Sequence, residues 1–307
     1  MSVRACIGRC TALGVVLSFG LATAVAPARA EGVLERVSRS GQLRLVGAVD
    51  QPPLMLLDSS GVPRGYGVVV AQRVADLLTQ ALGRPVRLSF QPAADGTQLD
   101  QQLRSGAAEL ACGLPFSWQR DEILDLSIPI AVSGLRLMAP AGRFSGDPAA
   151  LAGRPIGVVG GSLAESDLRG TQPAAQIVPF PDLTAAVRAL GAGQVDGVVG
   201  DSLLLRGQAQ QLGLTGLVLT PAVPFERYSL VCAMPENASA FRNLVNRAIA
   251  QLQQGYLDGD PSAVALVNRW LGPGSAVNLP AAVISNLFDA LLTGVEPFRP
   301  VAPASAR

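Results

Sequence analysis

Apolar positions along this chain switch between two periods. The run QLRLVGAV, residues 42–49, reads as a strand, and the turn-rich DQPPLMLLDSSGVPRG follows it. Val70, Val74, Leu77, Leu78, Ala81 and Leu82 then recur at helical spacing until Gly83 and Pro85 stop the pattern. VRLSF predicts a second strand, residues 97–105 a helix broken at Gly106, and AELACGL a third strand.

The same grammar returns further on. PIGVVGG predicts a strand, SLAESDLRG a short helix with Ser162 as its cap, AAQIVPF a strand, and DLTAAVRALGAG a helix capped by Asp182. VDGVVGDS closes the set. LDQQLRSGAAELACGLPFS and LTAAVRALGAGQVDGVVGDS share one order: helix, glycine-containing break, strand, polar exit. Two α/β lobes of like design explain that repetition. SGLRLMAPAGR and PFERYSLVCAMP are then two connections, one leading out of the first lobe and one leading back.

Ala238–Leu252 is strongly amphipathic, with Phe241, Leu244, Val245, Ala248, Ile249 and Leu252 on one face and Gly255 at its end. Farther on, Val283, Ile284, Leu287, Phe288, Leu291 and Leu292 line one face of a further helix, with Pro280 near its start. Such a stripe packs on its own lobe or receives a partner. The last residues, rich in Pro and Ala, are expected to be disordered.

Composition narrows the chemistry. Arg4 and Arg9 precede an apolar stretch, Thr11 to Ala26, that closes with Ala28, Arg29 and Ala30, so residues 1–30 read as a secretory signal peptide cleaved before Glu31. The stretch is too short and too rich in Ala and Gly for a stable membrane span, and Cys10 lacks the lead-in of a lipoprotein signal. A periplasmic or extracellular location, with no membrane span in the mature chain, is the expectation. Three of the 24 basic residues and none of the 23 acidic ones lie in that leader, so the remainder is slightly acidic and carries no electrostatic footprint for nucleic acid. The chain has no lysine and no histidine, which excludes Schiff-base chemistry, imidazole bases and histidine metal sites; no cofactor or metal is expected. Cys112 and Cys232 remain after the leader, as one bridge or as two buried thiols.

With these elements in place, the motifs resemble those of the family 3 extracellular solute-binding proteins, the amino-acid-binding periplasmic class serving ABC importers. The resemblance runs from about Leu34 to Leu271, and QRDEILDLSIP is its most specific part, through Arg120, Asp125, Leu126, Ser127 and Pro129. GYGVVVAQRVADLL, GRPIGVVGGS and GQVDGVVGDS support it in the same order. The resemblance implies a type II periplasmic-binding-protein fold: two doubly wound α/β lobes joined by two hinge strands, with the ligand between them. Lobe one is expected at 31–137 and 225–271, lobe two at 138–224, and a C-terminal extension at 272–307. The same fold implies that the strand of Cys232 lies beside that of Cys112, within disulfide reach.

By the same resemblance, Arg120 grips the α-carboxylate of a ligand, a task for which a planar fork of paired donors is well shaped. Without the family pattern, Arg120 reads as a surface residue pairing with Asp121 or Glu122. Asp201 is the counterpart for the ligand ammonium, or the cap of the helix beginning near Leu203. Gly161 and Ser162 present backbone N–H groups at a helix start to an anionic group, although Ser162 also reads as a plain cap. Asp50, Ser117, Trp118 and Tyr66 complete the candidate ligand set, the two aromatics packing over an apolar ligand side chain or within the core.

Departures from the family pattern thin the polar lining. Pro115 and Ser117 stand where a Thr-x-Thr pair is common, Leu54 replaces an aromatic, Gly67 and Val69 replace acidic residues, and Leu163 replaces a threonine. Three functions remain in view. The first is a binding protein that hands an amino-acid-like zwitterion to an ABC permease. The second is an orphan sensor or accessory without its own permease, like the members that accompany radical-SAM-modified, glycine-rich secreted peptides. The third is an enzyme resembling the prephenate or arogenate dehydratase of this fold, for which Glu165 and Asp167 are the available acids.

Overall fold

The computed structural model of the chain describes residues 32–293. The expected leader, residues 1–30, and the expected disordered end, residues 294–307, lie outside the described residues. The chain opens with α1 (Val33–Ser40), β1 (Gln42–Gly47), the small hairpin β2 (Leu56–Leu57) and β3 (Pro63–Arg64), α2 (Tyr66–Leu82), β4 (Arg87–Pro92) and α3 (Gly96–Arg104). Next come β5 (Ala111–Pro115), the single turn α4 (Trp118–Asp121), β6 (Leu124–Leu126) and the long strand β7 (Ala131–Pro140). The middle section holds β8 (Pro155–Val159), α5 (Leu163–Thr171), β9 (Gln176–Phe180), α6 (Leu183–Gly191), β10 (Gly197–Asp201), α7 (Ser202–Gln211) and β11 (Leu217–Thr220). The chain returns through β12 (Glu226–Pro235) and ends in α8 (Ser239–Leu257), α9 (Pro261–Asn268) and α10 (Ala281–Leu292).

Two long strands organise everything else. β12 pairs antiparallel with β7 through its first half and with β5 and β6 through its second. β11 pairs with β7 along the same edge beyond β12, whereas the other edge of β7 pairs with β10, which continues through β8 to β9 in parallel. The sheet order is therefore β5-β12-β7-β10-β8-β9. β1 pairs parallel with β4, and the bridge between Leu45 and Leu110 sets this pair beside the start of β5. Parallel strands need helical crossovers, which cover both sheet faces and place loops at the strands' carboxyl ends.

The apolar core divides accordingly. One cluster packs α1, α2, α8, α9 and α10 against the first strands, and a second fills the opposite face around α3. Two further clusters cover the faces of β8 and β10, under α5 on one side and under α6 and α7 on the other. Leu203 of α7 crosses the division and is buried in the first cluster. Glu109 is buried at the edge of β5 and is held by an ion pair with Arg44, whose charge offsets its desolvation.

Several elements differ from the sequence reading. α8 passes through Gly255 to Leu257, because α9 packs against it there: a Cβ at Gly255 would stand 3.1 Å from the Ala263 side chain. The short pieces α1, β2, β3, β11 and α9 carry too few residues to show a period and were not distinguishable from loop. The stripe on α10 covers its own body: Ile284 and Phe288 are buried, and Phe288 meets Tyr256 edge-on at 5.4 Å.

Candidate functional site

The segment QRDEILDLSIP separates into stitching residues and one arginine at the sheet edge. Asp125 accepts from the Ala238 N–H at 2.8 Å and from Arg242 at 3.1 Å, fixing the start of α8. Ser127 Oγ accepts from the Cys232 N–H at 2.8 Å, and the Pro129 carbonyl accepts from Gln253 at 2.9 Å. Arg120 lies at the carboxyl end of β5, on α4, whose cap is Ser117. Its Nε donates to Asp100 Oδ1 at 3.0 Å and its Nη1 to the Pro115 carbonyl at 3.0 Å. The partner is thus Asp100 of α3, rather than the sequence neighbours Asp121 or Glu122.

Asp201 ends β10 and caps α7. It accepts from the N–H groups of Leu203 at 2.8 Å and Leu204 at 3.0 Å, from Ser133 Oγ at 2.8 Å and from the Tyr228 hydroxyl at 2.7 Å. Burial pushes its pKa up, and the four donors pull it back down. The Tyr228 phenol is pushed well above its usual value by burial and by the adjacent carboxylate. Ser133 and Tyr228 sit on the two long strands and face each other in register. The sheet also relates this group to Arg120: Asp201 pairs with Leu135, four residues along β7 from Ala131, which opposes Leu230, whose other neighbour is Pro115. That is about 13 Å along the strand.

At the other strand-to-helix turn, Ser162 caps α5, accepting from the Glu165 N–H at 3.3 Å and donating to the Val159 carbonyl at 2.6 Å. The Gly161 N–H donates to Glu165 Oε2 at 2.7 Å. This bond, followed by the contact with Arg169, holds the Glu165 carboxyl below its ordinary range. A carboxylate of the chain therefore already occupies an N–H at the helix start where an anionic ligand group was expected.

Asp50 reaches across from the loop after β1 to α6 and α7. Its Oδ2 accepts from Thr184 at 2.7 Å, its Oδ1 from Gln211 at 3.1 Å and its carbonyl from Gln208 at 3.0 Å. Behind it, the Pro52 carbonyl rests on the bare Cα of Gly207, where a Cβ would overlap it. Tyr66 requires a correction. It is fully buried and donates to the Ile130 carbonyl at 3.1 Å, so it is a core residue rather than a ligand-facing one, because the helix start it occupies is turned inward under β5. Trp118 is 72% exposed and touches Phe116 edge-on at 5.0 Å.

Cys112 and Cys232 form a disulfide between β5 and β12. Among the described residues no group of three or more His, Cys, Asp or Glu side chains is arranged to hold a metal, and no helix is long and apolar enough to cross a membrane.

Asp100, Ser133, Tyr228, Thr184, Gln208 and Gln211 were not legible as site residues, because each meets its partner only through tertiary structure. Glu165 carried a local signal, standing three residues after the capping serine.

Comparison with known proteins puts this geometry in context. Residues 43–273 match the family described as bacterial extracellular solute-binding proteins, family 3. The virulence sensor protein BvgS of Bordetella bronchiseptica is 25% identical over 178 residues, covering 57% of this chain and 14% of that protein. The chain thus spans about one seventh of the length of the curated relatives it matches. Among solved structures, an ancestral amino-acid-binding protein described as a precursor of cyclohexadienyl dehydratase superposes with a TM-score of 0.64 at 20% identity, covering 78% of this chain and 99% of that one. An amino acid ABC transporter substrate-binding protein from Streptococcus pneumoniae, bound to L-arginine, superposes at 0.63 and 20% identity over 78% and 97%. At such identities the superpositions establish the fold.

Proposed function

The chain belongs to the family 3 bacterial extracellular solute-binding proteins, and from that premise we propose that it is an exported receptor that captures an amino-acid-like zwitterion between two lobes, without covalent chemistry. The lobes divide within β7 and just before β12, with 31–137 and 225–271 in one and 138–224 in the other. Arg120 takes the ligand carboxylate and Asp201 the ammonium. One observation carries this reading: a guanidinium and a partly buried carboxylate stand at strand ends on either side of the paired long strands, offset by about 13 Å along the strands and by three strand spacings, about 14 Å, across them. A planar fork on one lobe and an acceptor on the other reward closure, since only the closed form satisfies both ends of a zwitterion. Delivery to an ABC permease follows the role of the S. pneumoniae relative.

Calorimetric titration with the standard amino acids and short peptides tests the reading, with Arg120→Ala as control. Saturable binding that disappears in the variant supports it. Binding that survives in Arg120→Ala overturns the assignment of Arg120.

A second reading, an accessory or sensor without its own permease, is favoured by how far the chain answers its own polar groups. Asp100 holds Arg120, Glu165 holds the Gly161 N–H, and Asp50 bridges to α6 and α7. The match to a sensor protein points the same way. Absence of binding across the whole panel, with a scattering profile that added amino acids leave unchanged, selects this second reading. Release of phenylpyruvate from prephenate, or of phenylalanine from arogenate, by the purified protein would overturn both in favour of a dehydratase.

A further inference from the structure

Away from the cleft, α7, β7 and β11 border an open pocket of about 440 Å³. Leu214, Leu217 and Leu219 supply apolar side chains beside the buried Met138, Arg206 and Gln210 enter from α7, and Ala276 borders one side, so that the exposed lining is polar over more of its area than apolar. Arg206 donates Nη1 to the Val277 carbonyl. Arg136, two residues from Met138 on β7, donates to the carbonyls of Pro221 and Leu219, each at 2.6 Å. Among the described residues neither arginine makes an ion pair, and both are partly buried.

Two guanidinium groups that answer only to backbone carbonyls are an unbalanced arrangement. Burial lowers the pKa of each, and the charge of Arg206 lowers that of Arg136 further. Partly buried like charges are costly unless an anion joins them. The volume suits a small ligand, with a polar end at Arg206 and Gln210 and an apolar end at Leu214, Leu217 and Leu219. Ala276 and Val277 lie beyond residues 43–273, the part of the chain that matches the family, so one wall of this pocket comes from the chain's own extension.

We propose that this pocket is a second binding site, separate from the interlobe cleft, for a small carboxylate with an apolar body. Its head group pairs with the free edge of Arg206, and its body lies against Met138, Leu214, Leu217 and Leu219. The inference stands whether or not the cleft binds an amino acid.

The experiment titrates the full chain with octanoate and, separately, with octanol, following heat or ligand-detected NMR. Octanoate is expected to bind at one site per chain and octanol at least about tenfold more weakly, the ratio expected from losing one charge-assisted pair. Arg206→Gln should weaken octanoate by about the same factor. Ala276→Trp fills the pocket while keeping both arginines and should abolish binding, which covers the case in which Arg206→Gln fails to fold. Equal affinity for octanol, no saturable octanoate binding into the millimolar range, or normal octanoate binding by folded Ala276→Trp would overturn the proposal.

Discussion

Replacing Gly207 with alanine sets two effects of opposite sign against each other. Gly207 lies inside α7, where alanine is intrinsically favoured over glycine by about 1 kcal/mol. A Cβ at this position would overlap the Pro52 carbonyl and approach Pro53 N to 2.9 Å, and both are backbone atoms that cannot swing aside. Relieving the overlap moves either α7 or the loop that carries Asp50. Overpacking of this kind costs about 1–3 kcal/mol. Displacing the loop also loosens the hydrogen bonds from Thr184, Gln208 and Gln211, each worth about 1 kcal/mol net. The balance is a loss of about 1–3 kcal/mol, or a fall in Tm of several degrees. Gly170→Ala is the control, since Gly170 is also helical and a Cβ there meets nothing within 4 Å. Denaturant titration of both variants is the assay. If Gly207→Ala is stabilised as Gly170→Ala is expected to be, the loop does not rest on α7 and the account of the interlobe contact is wrong.

Three further outcomes are expected. Cys112 and Cys232 are separated by 120 residues, so opening the bridge should cost about 4–5 kcal/mol by chain entropy, read as a lower denaturation midpoint on reduction; an unchanged midpoint would contradict it. Phe288→Ala should destabilise the protein by about 3–5 kcal/mol in urea, whereas a loss below about 1 kcal/mol would mean that α10 is a detachable appendage. The Asp201 carboxyl should titrate above its ordinary 3.8 by carbon NMR, and Tyr228→Phe, which removes a donor, should raise it further. A raised folded value means that the folded state holds this proton more tightly than the unfolded chain. Its contribution to stability is therefore greatest at low pH and is lost as pH climbs from 3.8 through the raised value; a midpoint at or below 3.8 would refute the burial argument.

Periodicity and turn chemistry were enough to place most of the framework. The helix of Val70 and Leu78, the amphipathic α8 and the caps Ser162 and Asp182 are read from residues a few positions apart, and local backbone geometry fixes how such residues relate. The repeated order of helix, break and strand likewise announced two α/β halves, because parallel strands require that order. Partners across the fold are another matter. That Arg120 turns to Asp100, that Tyr66 faces inward to Ile130, and that Asp50 bridges to Thr184 and Gln211 depends on contacts between residues as many as 161 positions apart. No local pattern encodes them. The same holds for the pocket under Arg206, where strand, helix and extension meet. Sequence alone determined which elements form and which face of each is apolar, since those follow from neighbours along the chain. Tertiary structure decided which charges are answered by another charge of the chain and which meet only backbone carbonyls, because that depends on what packing brings within hydrogen-bond reach.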